Sequence, residues 1–282
     1  MSTGDKIEFK RLQHWWLIPL GVIFFFLWGI LLFFPTEVLQ QRLESELTTR
    51  LNHPVDLSGL SLQLPALVYI DELTSPSELG PINFTDIAIS PTWSSLLSTT
   101  PAAQIAAQVF SGSIEAQIDS AQHIKLAATS LHWEGPVPQL PTLNIQTTIA
   151  HLNAAAKGTE ISQLEQLQLE LSELRISGLK KLSVPVDSLD FGSIKLQLSQ
   201  KQQNIHLDQL TSSGGDISIS GDGHITRHRN LMRSRIDLEF TLTPRQDLDP
   251  AITTMLPLFA KKQQDGSYTV RLSGTLAQPR LR

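Results

Sequence analysis

Between residues 55 and 282, apolar and polar positions alternate with a period of two in a long series of short runs. The clearest are INFTDIAI (82–89), SIEAQI (113–118), LNIQTTI (143–149), SIKLQL (193–198), DISISG (216–221), RIDLEFTL (235–242) and YTVRLSG (268–274). A period of two sends alternate side chains to opposite faces of a strand. Strands that recur with few helical runs between them predict antiparallel sheets joined by turns rather than βαβ units. VDLSGLSLQL opens the series: Val55 and Leu57 share a face, the alternation slips near Gly59, and it resumes at Leu60, Leu62 and Leu64, as in a strand carrying a bulge. The expected domain is an elongated, curved antiparallel sheet over 55–282 with two or three short helices.

Three kinds of segment depart from that alternation. In TEVLQQRLESELTTRLN, Leu39, Leu43, Leu47 and Leu51 recur every four residues and line one face of a helix. Thr36 is a candidate N-cap and His53-Pro54 a stop, so residues 35–54 read as a connector helix that packs its leucines on the following domain or offers them to a partner. PTWSSLLST (91–99) and DLDPAITTMLPLFAKK (247–262) predict short helices. The second has Asp249 as N-cap, Pro250 at the first helical position, an apolar face of Ile252, Met255, Leu256 and Phe259, and an interruption at Pro257. EISQLEQLQLELSELRISG fits both periods: Leu164, Leu167, Leu171 and Leu174 form a helical stripe, whereas Leu167, Leu169 and Leu171 alternate as a strand. Glu, Gln and Leu favour helix by propensity. Leu169 falls off the stripe, however, and Arg175 to Gly178 continue the alternation, so strand is the preferred reading and helix the alternative for residues 160–177.

One segment has no alternation at all. WWLIPLGVIFFFLWGILLFF, residues 15 to 34, is twenty residues without a charge, and a helix of that length spans about 30 Å, the thickness of a bilayer's hydrocarbon core. No small-residue cleavage site follows it, which argues against a removable signal. Trp15, Trp16, Phe24, Phe25, Phe26, Trp28, Phe33 and Phe34 are the expected membrane anchor. Lys6, Lys10 and Arg11 lie close before the span, while Arg42 and Arg50 lie further beyond it among Glu37, Glu44 and Glu46. The positive-inside rule then leaves residues 1–14 in the cytoplasm and everything from Pro35 onward across the membrane, in the periplasm of a bacterium.

Composition adds bounds. The net charge is −5, with 41% hydrophobic and 17% charged residues, which suits a folded domain and gives no overall basic excess for nucleic acid. There are no cysteines.

Catalytic patterns are missing from the sequence: there is no G-x-S-x-G, P-loop, H-E-x-x-H or G-x-G-x-x-G. DISISGDGHITR, from Asp216, has glycine at the sixth position of a calcium loop but Arg227 where the bidentate Glu belongs, and reads as a strand entering a glycine-containing bend. His224 and His228 have a helical ligand spacing in a β context, and His206 and Asp208 in IHLDQL share a strand face with no nucleophile tied to them. The chain therefore reads as non-catalytic, without cofactor or metal. Arg227, Arg229, Arg233 and Arg235 in RHRNLMRSR gather at a turn between strands and form a candidate contact for anionic groups, here lipid head groups. A sheet with one apolar face and few helices to cover it leaves a candidate acyl-chain groove, lined by Val55, Leu57, Ile236, Leu238, Phe240, Val270 and Leu272.

The order of parts is similar to a known family. FPTEVLQQRLESELTTRLNHPVDLSGLSLQLP resembles the connector and first strand of the type II secretion system protein N family, in the form found in delta-proteobacteria and spirochaetes. DGSYTVRLSGTLAQPRLR resembles that family's closing strand, and GDISISGDGHITR resembles the repeat turns of the more distant AsmA-like envelope proteins. The resemblance implies a single-pass inner-membrane component of protein secretion whose periplasmic β domain contacts other secretion or envelope proteins. The AsmA-like alternative implies binding or transfer of phospholipid between the inner and outer membranes. Neither brings catalytic residues.

Overall fold

The structure is a computed structural model. It describes residues 36–51, 53–63, 67–77, 80–95, 98–137, 140–158, 164–182, 184, 186–201, 204–228 and 230–281, together with Pro19, Gly21, Val22, Phe25, Phe26 and Gly29. Those six are helical, and Phe25 and Phe26 are exposed. The rest of the expected membrane span and anchor, including Trp15, Trp16, Phe24, Trp28, Phe33 and Phe34, lies outside the described residues, as do residues 1–14. Among the described residues no helix is long and apolar enough to cross a membrane.

The alternating runs form one sixteen-stranded sheet. Its strands are β1 (Asp56–Ser58), β2 (Ser61–Gln63), β3 (Leu67–Ser77), β4 (Gly80–Pro91), β5 (Ala102–Val109), β6 (Gly112–Asp119), β7 (His123–Val137) and β8 (Leu140–Lys157). They continue as β9 (Leu164–Ser177), β10 (Ser188–Lys201), β11 (Asn204–Gly214), β12 (Ile217–Thr226), β13 (Arg235–Pro244), β14 (Lys261–Lys262), β15 (Tyr268–Thr275) and β16 (Gln278–Leu281). From β3 to β13 each strand pairs with its sequence neighbours, and β15 pairs with β13. Every pairing is antiparallel. The strand that opens the series is two pieces: Gly59, at φ +68°, and Leu60 separate β1 from β2, and both pair with β3.

The ambiguous segment is β9. Its two readings arise from irregular pairing. Glu173 sits at φ +57°, and the register shifts on both sides of the strand, so the apolar spacing lengthens from two to three residues while the leucines stay on one face. Asp86 in β4 and Ser130 in β7 also have positive φ, at 52° and 56°. Near each, apolar partners stand three apart: Ile87 and Phe84 face Ile70 and Leu73, and Ala128 and Leu131 face Leu152 and Ile149.

The helix α1 (Thr36–Leu51) fits the connector reading. Leu39, Leu43 and Leu47 pack on a core of Val55, Leu57, Leu60, Ile70 and Ile87. Its polar side chains also serve β1, an edge strand with otherwise open backbone groups. The Gln40 amide donates to the Leu57 carbonyl at 2.6 Å, the Leu57 N–H donates to Glu44 at 3.2 Å, and the Val55 N–H donates to the Thr48 hydroxyl at 3.2 Å.

The other expected helices are short. The described residues of 91–99 include one 3-10 turn, Trp93–Ser95; Leu96 and Leu97 lie outside the described residues. The helix α2 (Pro250–Met255) begins on Asp249, whose carboxylate accepts from the Ala251 N–H at 2.8 Å. It ends as the 3-10 turn Leu256–Leu258, because Pro257 has no amide hydrogen with which to continue the helical ladder. Leu256 then packs with Phe240 and Leu242 against Ala260, Tyr268 and Val270.

Candidate functional site

Strand register gathers the apolar positions into rows that cross the sheet. Val68 opposes Ile89, and from there Ile105, Ala116, Leu126, Ala154 and Leu167 follow as successive cross-strand partners. The same row runs on through Leu198, Leu207, Gly223, Leu238 and Leu272 to Leu281. A second row beside it begins Ala107, Ile114, Ala128, Leu152, Leu169 and continues Leu196, Leu210, Gly221, Phe240, Val270. Neither row contains a polar side chain. The alternate positions are mostly hydrophilic: Gln104, Gln117, Lys125, Ala155, Gln166, Ser199, His206, His224, Asp237 and Ser273, all polar but Ala155, form one row of the opposite face.

Cover over the apolar face is uneven. α1 packs over β1, β3 and β4, and Leu256 of the 3-10 turn after α2 packs over β13 and β15. Between them, among the described residues, no second sheet packs across the face, and strand contacts run almost wholly between sheet neighbours. Among the described residues of β9 and β10 none is buried; Leu167, Leu169, Leu171, Ile194, Leu196 and Leu198 are all half-buried. An amphipathic sheet that keeps such a run half-buried offers acyl chains a contact surface with no polar group to desolvate.

The glycines of GDISISGDG have a place in this surface. β12 runs straight through them, without the expected bend, to Thr226. A Cβ on Gly221 would sit 2.5 Å from the Phe240 ring, and one on Gly223, at φ +148°, would sit 2.4 Å from the Asp237 carbonyl oxygen. Only glycine lets the side chains of β13 lie down across β12.

The predicted groove residues are divided between the two ends of the sheet. Val55 and Leu57 are buried under α1, so they belong to the core beneath a helix. Ile236 and Val270 are buried, Phe240 packs against Tyr268 and Val270, and Leu238 and Leu272 occupy the first row. The structure does not bring the first pair near the other five, which lie on the last strands. The half-buried stretch of β9 and β10 lies outside that set, although the LQLEL and IKLQL alternations mark its strands.

On the polar face, a shallow cavity of 360 Å³ touches Gln104, Gln117, Lys125, Asn153, Gln166 and Gln168. A second, of 580 Å³, lies over β12 to β16 beside His224, Arg235, Asp237, Arg271, Gln278 and Arg280. There Arg271 donates to both oxygens of Asp237, at 3.0 and 3.1 Å, and the hydrogen-bonded carboxylate raises the Arg271 pKa. His224 stands across from His206 with ring centroids 6.3 Å apart, while His228 accepts from the Asn230 N–H, so His224 and His228 do not converge. A register shift in β11 makes Asp208 the extra residue, which separates it from the alternation of His206. Among the described residues no group of three or more His, Asp or Glu could hold a metal ion.

Of the four turn arginines, Arg229 lies outside the described residues. The turn between β12 and β13 carries Arg233 in the 3-10 turn Leu231–Arg233, and Arg233 and Arg235 are exposed. Ser234, fully buried, anchors it: its hydroxyl accepts from the His228 N–H and its carbonyl from the Leu276 N–H.

Fold and surface together define a single-layered, amphipathic antiparallel meander whose apolar face is buried near its ends and around Val109, Ala128 and Leu131, and open where it crosses β9 and β10. No family model, curated protein or solved structure matches this chain.

Proposed function

We propose that this protein is a non-catalytic, membrane-anchored envelope protein that holds phospholipid acyl chains along the apolar face of its sheet. The observation that carries the reading is the uninterrupted apolar row from Val68 to Leu281, half-buried and uncovered where it crosses β9 and β10. The row crosses thirteen strands, β3 to β13, β15 and β16; at about 4.8 Å per strand, it gives a lipid tail a continuous surface of roughly 60 Å. In this reading the apolar segment 15–34 anchors the chain in the inner membrane, with the amino terminus cytoplasmic and the sheet in the periplasm.

The two faces supply the test. Leu198 and Gln197 are consecutive in β10 and oppose Leu167 and Gln168, one pair on each face. A photo-crosslinking amino acid at position 198 of the full chain is expected to capture phospholipid in membranes, and the same group at 197 is expected to capture little. Equal labelling at both positions, or none at 198, would remove the lipid reading.

A place among type II secretion proteins draws its support from the resemblance of the connector and the closing strand. It is compatible with lipid contact and has its own test. Mild crosslinking in membranes followed by pull-down should recover inner-membrane platform or secretin proteins, and recovery of neither would end that proposal.

A further inference from the structure

Charge is divided unequally along the chain. Residues 227–282 carry ten Lys and Arg against five Asp and Glu, a net +5; residues 1–226 carry twelve against twenty-two, a net −10, and the two sum to the chain's −5. The basic segment folds into the turn after β12, the strands β13 to β16 and α2, which together form the sheet's final edge. Two of its five carboxylates, Asp237 and Asp247, are bound to Arg271 and Arg245 of the same segment.

The same edge exposes large apolar side chains. Met232 is 60% exposed in the turn before β13, and Leu276 is exposed beside it, the two turns being joined by the Ala277 N–H donating to the Met232 carbonyl at 3.0 Å. At the other end of β15, Leu258 is 74% exposed and Phe259 59%. Each cluster has exposed cations within a few residues: Arg233 and Arg280 on one side, Lys261 and Lys262 on the other. Apolar tips among arginines and lysines match the chemistry of a phosphate-rich bilayer surface, where apolar groups enter the headgroup boundary and cations meet phosphate. A protein partner is matched less well, since the apolar groups are split between two corners and lysine is depleted from protein interfaces.

We infer that the edge formed by β14, β16 and their flanking turns docks onto the surface of a bilayer containing anionic phospholipid, at the end of the sheet opposite α1. The site is independent of whether the apolar face carries lipid, so crosslinking at position 198 and docking at this edge fail separately.

The test uses the full chain inserted by its apolar segment into nanodiscs of phosphatidylcholine. These are mixed with vesicles of phosphatidylcholine alone or with about 30% phosphatidylglycerol, and vesicle capture is read by flotation. Each cation near an anionic surface strengthens binding roughly fivefold. Capture of the anionic vesicles should exceed that of neutral ones by at least about tenfold and weaken with added salt. The variant Arg233→Glu/Lys261→Glu/Lys262→Glu/Arg280→Glu should lose it. Met232→Ser/Leu258→Ser/Phe259→Ser, which keeps the charge, should reduce it. Lys125→Glu/Lys195→Glu, on the exposed polar face, should leave it unchanged, and circular dichroism melting should confirm that each variant is folded. Equal capture of neutral and anionic vesicles, full capture by the charge-reversed variant, or capture that requires a protein in the vesicle would overturn the inference.

Discussion

The sheet's two kinds of region, the strands under a helix and the strands between, share the same alternation and much of the same residue composition. β1, β3 and β4 place Leu57, Ile70 and Ile87 against three leucines of α1, and all three strand residues are buried. β9 and β10 place Leu169, Leu171, Ile194 and Leu196 at equivalent positions, and none is buried. What differs is a neighbour supplied by another part of the chain. Apolar alternation therefore specifies which face is meant to leave water; how far it is buried depends on what else packs there, a helix over Leu57, Ile70 and Ile87, or neighbouring aromatic and aliphatic side chains around Val109, Ala128 and Leu131.

Stability should divide along the same line. Leu57 is 2% exposed, and Leu57→Ala should cost about 2–5 kcal/mol, the range for emptying a packed leucine site. Leu196→Ala, on a half-buried position, should cost about 1 kcal/mol or less, because little tightly packed volume is lost. Urea unfolding of the two variants, followed by circular dichroism, measures the contrast. Equal losses would mean that the middle of the sheet is covered as fully as its end.

A smaller effect should appear where glycine lets one strand lean on another. Gly221→Val brings a side chain to within 2.5 Å of the Phe240 ring and 3.0 Å of the Glu239 carbonyl. Overpacking of this kind costs about 1–3 kcal/mol. The change should lower the midpoint of thermal unfolding and displace Phe240 from its contact with Tyr268 and Val270. An unchanged midpoint would show that β12 and β13 can separate freely, and that the end of the sheet is no tighter than its middle.

Much of this architecture was legible in the chain. The alternating runs became strands, the leucines of α1 packed where a four-residue stripe points, and Asp249-Pro250 opened a helix broken at Pro257. The Ala-rich β5 gave a weak signal, since alanine has little β preference and its strand is held by pairing with β4 and β6. Bulges hid more. At Glu173 and Ser130 the apolar spacing lengthens to three, which imitates a helix in β9 and breaks the alternation in β7. The closing stretch shows a related limit: the alternation over 268–274 predicts one strand, but Gly274 opposes Pro279 in a hairpin that returns as β16. The candidate surface was hardest to see, because Leu126, Ala154, Leu167 and Leu198 become neighbours only through the registers of four strands.

The smallest expected effect tests the second lid. α2 has six residues, too few for a stable helix alone, so it depends on its cap and on Leu256 packing against Tyr268 and Val270. Asp249→Ala removes the acceptor for the Ala251 N–H and should cost about 1 kcal/mol, while Asp249→Asn should retain most of the cap. Hydrogen exchange separates the possible consequences. Faster exchange confined to residues 250–258, with β13 and β15 still protected, would make α2 a lid laid on a finished sheet. Faster exchange through β15 as well would make it part of the end's core, as α1 is at the other end. In that second case both ends of the apolar face are built to be closed, and β9 and β10 are where the proposed lipid contact would lie.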